Sequence, residues 1–203
     1  MRRIGIMGGT FNPIHLGHLM LAEWAMDSVE LDQVWIIPTG ASYMKNPHEI
    51  VPAEHRLRMA QLAVEGNPLF RCLDIEIQRG APTYSYETME LLQKRYPDDS
   101  FFFILGADCL FSIETWKYPE RIFQCCTVIA AVRDRALTEE MEEKRCALEQ
   151  KFGGRIIVLP FLRMSLSSTE IRQRVRDRQS IRYLVPDNVL SYIEEKGLYR
   201  ERD

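Results

Sequence analysis

The sequence predicts an α/β protein built on a doubly wound, mostly parallel sheet, and three observations carry this prediction. Short apolar runs alternate along the chain with segments of helical periodicity. The run over residues 101–105 is apolar throughout, as expected of a central strand covered on both faces. A glycine pair, Gly8-Gly9, follows the first apolar run, where sheets of this class bind ligands.

Segments rich in apolar residues predict strands over residues 4–7, 34–37, 70–77, 101–105, 127–131 and 156–159. Helical periodicity and end signals predict helices over residues 15–29, 53–65, 86–95, 137–152, 168–176 and 186–196. The predicted apolar face of the first helix consists of Leu16, Leu19, Met20 and Trp24. The proline-containing segment 38–52 is predicted to be an irregular loop of the kind that serves as a lid or a binding loop. Alternating strands and helices predict helices on both faces of the sheet.

The composition indicates an ordinary globular chain of 203 residues, 46% hydrophobic and 27% charged. One domain is expected over residues 1–203, with a small helical part from about 165 to 203. The formal net charge of −3 predicts no nucleic-acid partner, and no apolar run approaches the ~20 residues of a membrane span. Five cysteines without a C-x-x-C pair predict reduced thiols and a cytoplasmic location, and a homo-oligomer is left open.

The segment from Gly8 to His18 predicts a site for nucleotide phosphates. Gly8 and Gly9 allow the backbone to approach a ligand closely, and Thr10 adds a hydroxyl. The following helix directs its free N–H groups at the same place. The spacing matches neither G-x-G-x-x-G nor G-x-x-x-x-G-K-[ST], which disfavours a dinucleotide redox domain and a P-loop. A glycine pair before a helix is also what an ordinary tight turn requires.

Two histidines in this segment, His15 and His18, predict hydrogen-bond donors to phosphate. They stand three residues apart, hence on one helix face, and Gly17 between them leaves room for a ligand. Imidazole groups can donate hydrogen bonds to charge that develops on phosphoryl oxygens. The pair also fits surface histidines, a helix cap, or half of a metal site that lacks an obvious third ligand.

A second segment, Ser167 to Arg172, predicts a helix start and an anion site together. Ser167 and Glu170 have the spacing of a capping box. Hydroxyls of Ser168 and Thr169 at the helix N-terminus, with Arg172 one turn further on, suit an anion. The two interpretations are compatible, because the same residues can cap the helix and bind phosphate.

These two segments resemble the GT-F-x-P-x-H-x-GH and SS-T-x-[IV]-R signatures of the nucleotidylyltransferase superfamily. Asn12 stands where many members have aspartate. The resemblance implies a Rossmann-like nucleotidylyltransferase fold and a reaction that joins a nucleotide to a phosphate and releases pyrophosphate. It also implies that His15 and His18 contact the phosphates of ATP.

Further segments are similar to those of bacterial nicotinate-nucleotide adenylyltransferases. Gly106-Ala107-Asp108 resembles their G-x-D element, residues 81–85 their P-[ST]-Y-T segment, Trp116 their ring-stacking aromatic, and residues 197–199 their closing G-L-Y. The sequence departs where P-P-H-K is usual, with Ser42-Tyr43-Met44-Lys45, and where R-P-G is usual, with Arg133-Asp134-Arg135. Taken without the resemblance, Trp116 is equally a core residue and Asp108 a helix cap.

The resemblance implies adenylyl transfer from ATP to nicotinate mononucleotide, giving deamido-NAD and pyrophosphate in NAD biosynthesis. The residues implied in catalysis are His15, His18, Lys45 and Arg172. The residues implied in binding ATP are Gly8, Gly9, Thr10, Phe11, Gly17, Gly106, Asp108, Ser167, Ser168 and Thr169. Those implied in binding the second substrate are Thr83, Tyr84, Trp116 and Arg133. Mg²⁺ is the expected cofactor, held on phosphate oxygens.

Two alternatives stay open. The first is another adenylyltransferase of the superfamily, with nicotinamide mononucleotide or phosphopantetheine as the acceptor. The second is a non-catalytic protein that binds nucleotides through the same turn. Two histidines suited to stabilising a transition state disfavour the second alternative, because binding alone does not need them.

Overall fold

The structure is a computed structural model that describes residues 1–40, 50–80, 83–132, 139–161 and 165–200. Within these ranges the strands are β1 (Arg3–Gly9), β2 (Gln33–Pro38), β3 (Phe70–Cys72), β4 (Ser100–Gly106), β5 (Thr127–Val132) and β6 (Ile156–Pro160). They form a six-stranded sheet in the order β3-β2-β1-β4-β5-β6. The pairs β1–β4, β4–β5 and β5–β6 are parallel. This order, which reverses between β1 and β4, is that of a doubly wound sheet and confirms the predicted fold class.

The helices in the described ranges are α1 (Leu16–Val29), α2 (Ala53–Val64), α3 (Ser85–Arg95), α4 (Ala107–Ser112), α5 (Pro119–Cys125), α6 (Glu139–Phe152), α7 (Ser168–Arg176) and α8 (Asp187–Glu195). The predicted starts and ends of α1, α2, α3, α7 and α8 lie within one residue of those observed. Among the residues that the structure describes, no helix combines the length and apolarity that crossing a bilayer requires.

The continuous apolar run of β4 forms the centre of the core, as predicted. Residues 101–105 are each at most 6% exposed. Phe103 of β4 stands opposite Ile6 of β1 on one side and Val128 of β5 on the other. Burial on both faces explains why this strand shows no alternation of polar and apolar residues.

The chain divides into two compact units. The first contains the described residues of Met1–Met7, Leu21–Trp35 and Tyr84–Met164, and the second those of Gly8–Met20, Ile36–Thr83 and Ser165–Asp203. Each unit gathers segments that are distant in sequence, so neither is a simple N- or C-terminal half. The single domain expected over residues 1–203 stays a prediction.

The predicted apolar face of α1 is wrong at Met20 and Trp24, whereas Leu16 and Leu19 are half-buried. Met20 and Trp24 are 41% and 39% exposed, and the residues that α1 buries are Ala22, Ala25, Met26 and Val29. Alanine side chains are short and allow the helix backbone to pack closely, which a pattern of large apolar residues does not reveal. Trp24 instead packs edge-to-face on Phe161, with ring centroids 6.0 Å apart.

The strand predicted over residues 70–77 is also too long, since β3 ends at Cys72. The chain then folds back in turns, in which the N–H of Gln78 donates to the carbonyl of Asp74 at 2.9 Å. Ile75 and Glu76 are adjacent and both buried, which a strand with one covered face does not permit. The helices α4 and α5, of six and seven residues, are too short to show apolar periodicity, and α5 was not predicted.

Candidate active site

The turn between β1 and α1 has an irregular backbone that the Phe11 side chain fills. Phe11 adopts a positive φ of 47°, and the peptide bond between Asn12 and Pro13 is cis. The Phe11 ring lies over Gly9, where a Cβ atom would stand 2.9 Å from the ring. Gly9 is therefore required by the packing of Phe11, in addition to any approach of a ligand.

The two histidines of this turn are in contact. Their rings stack with centroids 3.6 Å apart and planes inclined by 22°. The backbone N–H of His15 donates a hydrogen bond to Nδ1 of His18 at 3.2 Å. His15 immediately precedes α1, and His18 is its third residue, so this bond is one half of a capping box with histidine as the acceptor.

His15 is neutral at pH 7, because burial lowers its pKa from 6.5 to about 4. The side chain is only 5% exposed. Its Nδ1 atom is buried and has no hydrogen-bond partner among the described residues. The stacked pair thus consists of an uncharged His15 and a His18 whose Nδ1 accepts a hydrogen bond from the His15 backbone.

The N-terminus of α7 is bonded to the same turn. The Ser168 hydroxyl donates to the carbonyl of Pro13 at 2.8 Å, and Nη1 of Arg172 donates to the carbonyl of Asn12 at 2.9 Å. The Ser167 hydroxyl accepts from the N–H of Glu170 at 3.1 Å, which confirms the predicted cap. Both sequence signatures, about 150 residues apart in the chain, therefore meet in three dimensions.

Arg56 belongs to this site and was missed in the sequence. It is only 2% exposed, and burial lowers the pKa of its guanidinium. The guanidinium donates to four backbone carbonyls: Thr10 at 2.8 Å, Thr39 at 2.7 Å, Gly40 at 2.8 Å and Val51 at 3.3 Å. One buried cation therefore connects the first turn with the chain on both sides of residues 41–49.

Asn12 adds a second connection to the same place, since its Oδ1 accepts from the N–H of Val51 at 3.2 Å. A carboxylate oxygen could accept the same bond, so an aspartate at this position would be compatible with it. Lys45, the lysine implied in catalysis, lies outside the described residues. Gly40 and Val51, on either side of the segment that contains Lys45, are held by Arg56 and Asn12.

The closing residue Tyr199 packs in the same unit. Burial raises the pKa of its hydroxyl, and the positive charges of Arg172 and Arg56 oppose this shift. The hydroxyl lies 4.0 Å from Sδ of Met59 in α2. Tyr199 thus fixes the C-terminal segment against the helix that carries Arg56.

Thr83 is buried, and its hydroxyl donates to the carboxylate of buried Glu76 at 2.6 Å. The hydroxyl is therefore engaged within the protein, so a ligand would meet the backbone of this segment. Tyr84 precedes α3, and its N–H donates to the carboxylate of Glu87 at 3.4 Å. The ammonium of Lys117 lies over the Tyr84 ring, 4.2 Å from its centroid. Residues 81 and 82 and Arg133 lie outside the described residues.

In the first unit, Gly106 ends β4 and is the N-cap of α4, and Asp108 lies in the first turn of that helix. Asp108 is thus not the cap itself, although its charge favours the helix N-terminus. Trp116 follows α4, and its ring packs edge-to-face on Phe103 with centroids 6.3 Å apart. The Trp116 Nε1 atom is buried and has no hydrogen-bond partner among the described residues.

Comparison with known proteins assigns the family. A family model named cytidylyltransferase-like matches residues 6–174. The probable nicotinate-nucleotide adenylyltransferase of Lachnoclostridium phytofermentans is 41% identical over 199 residues, which are 98% of this chain and all of that protein. That of Geobacillus thermodenitrificans is 38% identical over 202 residues, all of this chain and 88% of that protein.

The fold is also shared with solved structures. That of the Plasmodium falciparum nicotinic acid mononucleotide adenylyltransferase complexed with NaAD aligns with a TM-score of 0.80, at 20% identity and over 98% of both chains. These findings define the class of the protein as a nucleotidyltransferase fold. The chain belongs to the cytidylyltransferase-like family and, within it, to the nicotinate-nucleotide adenylyltransferases.

Proposed function

We propose that this enzyme transfers the adenylyl group of ATP to nicotinate mononucleotide, giving deamido-NAD and pyrophosphate. One observation carries the proposal: the first turn holds the stacked rings of His15 and His18, and Arg172 is bonded to the same turn through the Asn12 carbonyl. Relatives that carry this activity in their names support it, since they match nearly the whole chain at 41% and 38% identity. ATP and nicotinate mononucleotide are therefore the proposed partners, and the cytoplasmic location stays a prediction.

In the proposed reaction the phosphate of nicotinate mononucleotide attacks the α-phosphorus of ATP. A new P–O bond forms there, and the bond from the α-phosphorus to the bridging oxygen of the β-phosphate breaks in line with it. The attacking phosphate is already ionised at pH 7, so the reaction needs no strong base. Catalysis then consists of positioning the substrates and stabilising charge on the phosphoryl oxygens.

His18 is the proposed donor to these oxygens. Because its Nδ1 accepts the N–H of His15, the neutral ring carries its proton on Nε2 and can donate from there. His15, kept uncharged by burial, stacks on this ring and holds its plane. The arrangement presents an oriented hydrogen-bond donor at the start of a helix, where the N–H groups and the helix dipole also favour phosphate.

Arg172 is the positively charged residue that we propose to bind the phosphates of ATP at the first turn. Its Nη1 is bonded to the Asn12 carbonyl, and Nη2 lies 3.4 Å from the Thr169 hydroxyl. A guanidinium has five N–H donors, so it can keep these contacts and still bind a phosphate oxygen. We propose that Ser167, Ser168 and Thr169 contribute N–H groups of α7 to the same phosphates.

Arg56 is a proposed positioning residue, since it contacts carbonyl groups and not a substrate. By holding Thr10, Gly40 and Val51 it fixes the turn relative to the ends of the Lys45 loop. We propose that Lys45 neutralises the leaving pyrophosphate and that Arg56 sets where its loop begins and ends.

The remaining roles rest on the resemblance to the family. Gly8, Thr10 and Phe11 are proposed to hold the nucleotide through their backbones, and Gly106 and Asp108 to bind its ribose. For the pyridine nucleotide, Trp116 is proposed to stack on the ring, and Tyr84 and Arg133 are proposed to bind the same nucleotide. The N–H groups of residues 83–85 are proposed for the carboxylate, since the Thr83 hydroxyl is already bonded to Glu76.

Mg²⁺ is proposed to enter with ATP. The described groups of the first turn are N–H groups, imidazoles and a guanidinium, which suit phosphate oxygens and not a hard cation. Among the described residues, no three histidine, cysteine, aspartate or glutamate side chains are grouped as a metal site would need. The described part of the chain therefore shows no group of side chains that would bind the ion by itself. Bound to phosphate oxygens, Mg²⁺ would neutralise charge on the leaving pyrophosphate.

The test is pyrophosphate release from ATP with each acceptor in turn: nicotinate mononucleotide, nicotinamide mononucleotide and phosphopantetheine. Turnover with the first at a kcat/KM well above the other two supports the proposal. Preference for either of the others would reassign the acceptor within the family. Tight ATP binding without turnover on any acceptor would contradict the proposed activity.

A further inference from the structure

A pocket of about 730 Å³ lies in the C-terminal part of the second unit, between the end of α7, the turn after it, and α8. Four arginines line it, and these are Arg176, Arg178, Arg182 and Arg200. Among the described residues that line it, the only acidic one is Glu194. None of its lining residues is among those proposed to bind ATP or the pyridine nucleotide. We call it the arginine pocket.

The arginine pocket concentrates unneutralised positive charge. Among the described residues, the guanidinium groups of Arg178, Arg182 and Arg200 have no hydrogen bond or ion pair. Arg176 donates only to the neutral Oε1 of Gln173, at 2.7 Å. Like charges around one cavity repel one another, so this arrangement is unfavourable until an anion is present.

Several other arginines on the surface are paired with carboxylates. Arg2 is bonded to Asp99, and Arg121 is bonded to both oxygens of Glu90. The chain as a whole has an excess of three negative charges, so carboxylates are not scarce. Arg58, Arg95 and Arg155 also have no side-chain partner among the described residues, so what marks the pocket is that four arginines line one cavity.

The backbone at Arg178 gives independent support. After α7 the N–H of Gln179 bonds to the carbonyl of Arg174, and that of Arg178 bonds to the carbonyl of Val175. These two bonds form a Schellman motif, whose left-handed position is most often glycine. Here that position is Arg178, with a φ of 56°. An arginine is thus kept where glycine would fold with less strain, and its side chain lines the pocket.

Buried apolar residues form the floor of the pocket. Ile181, Leu190 and Ile193 line it and are each at most 7% exposed, packed in the core of the C-terminal helices. Because the arginines stand on segments next to these packed residues, binding an anion has to order their side chains but not the backbone, which limits its entropic cost. The volume lies in the range of pockets that hold small molecules.

We propose that the arginine pocket binds the polyphosphate group of a small molecule. Planar guanidinium groups bind phosphate oxygens in pairs, and several of them together match a di- or triphosphate better than a single carboxylate. The acidic balance of the whole chain disfavours long nucleic acids as the occupant. Two sources share this chemistry: inorganic polyphosphate and the phosphate chain of a nucleotide.

The experiment is calorimetric titration of the full chain with inorganic tripolyphosphate at about 0.15 M salt, where long-range attraction is largely screened. The test variant is Arg178→Gln/Arg182→Gln/Arg200→Gln. The control is Arg58→Gln/Arg95→Gln/Arg155→Gln, which removes the same charge from other exposed positions. We expect the wild type and the control to bind one more tripolyphosphate per chain than the test variant does. If the number bound is the same, their dissociation constant should be at least tenfold lower than that of the test variant.

An equal loss in both variants, or no loss in either, would overturn the proposal, because binding would then follow net charge or lie elsewhere. The test variant should have a melting temperature no lower than that of the wild type, since it removes repulsion between like charges. It should also keep the kcat of the wild type, since none of its residues is proposed to act in catalysis. Replacing the same three arginines by lysine keeps the charge but not the planar donors, so we expect intermediate affinity.

Parallel titrations with ATP and NAD distinguish the two sources. Because ATP is also proposed to bind at the first turn, the affinities compared are those of the binding that the control has and the test variant lacks. Equal values for tripolyphosphate and ATP assign the pocket to the phosphate chain alone. Tighter binding of a nucleotide adds a contact to its base, for which Tyr183, 78% exposed beside Arg182, offers a ring. If the pocket variant binds all three ligands as the control does, the pocket is not a polyphosphate site.

Discussion

The backbone N–H of His15 donates to Nδ1 of His18 at 3.2 Å, and this bond decides where neutral His18 carries its proton. A ring whose Nδ1 is an acceptor has its N–H at Nε2. The same bond therefore caps the N-terminus of α1 and orients the N–H group that we propose to act in catalysis. It also distinguishes the two nitrogen atoms of His18, which amide side chains can mimic separately.

The first prediction concerns His18. His18→Ala should lower kcat by ~10²–10³ with the fold intact, as the loss of one oriented donor does in comparable sites. His18→Gln places an amide N–H near the position of Nε2, whereas His18→Asn places an oxygen near that of Nδ1. Steady-state kinetics should therefore show more activity in the glutamine variant. Alanine and wild-type enzymes with similar kcat would refute the role of His18.

The second prediction concerns pH. The pKa of His15 is about 4 in the folded chain, against 6.5 for a solvent-exposed imidazole, so the unfolded chain binds its proton first. The resulting stabilisation is fully present above pH 6.5 and is lost as pH falls toward 4. Its size is about 3 kcal/mol. Urea unfolding of His15→Gln should show a weaker decline than wild type in this interval, and parallel curves would contradict the burial argument.

The third prediction concerns Arg56. Arg56→Lys keeps the charge but cannot donate to all four carbonyls, so stability should fall by roughly 2–4 kcal/mol in urea unfolding. Arg58→Lys, on the exposed side of the same helix, is the control and should change little.

A positioning role for Arg56 also requires an effect on catalysis through Lys45. We expect Arg56→Lys to lower kcat at least tenfold at a temperature where the variant is folded. In a Lys45→Ala background the same change should cost little more, because the residue that it positions is already gone. Fully additive effects in this double-mutant cycle would limit Arg56 to a structural role.

The fourth prediction concerns the acceptor. Nicotinate carries a carboxylate where nicotinamide carries a neutral amide, and N–H groups at residues 83–85 should favour the charged form. We expect kcat/KM for nicotinate mononucleotide to exceed that for nicotinamide mononucleotide by more than tenfold. Comparable values for the two mononucleotides would show that these N–H groups do not read the carboxylate.

The fifth prediction concerns Gly9. Gly9→Ala places a methyl group 2.9 Å from the Phe11 ring and should cost roughly 1–3 kcal/mol in unfolding free energy. In a Phe11→Leu background the smaller side chain removes most of this clash. The cost of Gly9→Ala should then shrink, and an unchanged cost would place its origin in the backbone and not in the ring.

The sequence predicted the parts of the site whose signals are local. The first turn and Ser167 to Arg172 are each continuous segments, and the structure brings Ser168 and Arg172 against Pro13 and Asn12. What these residues bind stays a prediction. The continuous run of β4 was equally clear, because burial on both faces removes polar residues from a strand.

Arg56 could not be recognised in the same way. Its partners are carbonyl groups of Thr10, Thr39, Gly40 and Val51, which any sequence supplies and only the folded chain gathers. One signal was available: Arg56 stands three and four residues before Met59 and Ala60, on the buried face of α2. The buried face of α1 was predicted wrongly for a related reason. Two alanines form part of it together with Met26 and Val29, and a search for large apolar residues overlooks alanine.

The Schellman turn at Arg178 has a consequence for protein engineering. Substituting glycine at a left-handed position removes the steric cost of Cβ, about 1 kcal/mol, so Arg178→Gly should raise the melting temperature. A design procedure that optimises stability alone would choose this substitution early and would report an improved protein. On the proposal made for the arginine pocket, the same substitution would weaken ligand binding there, a loss that assays of folding and turnover would not detect.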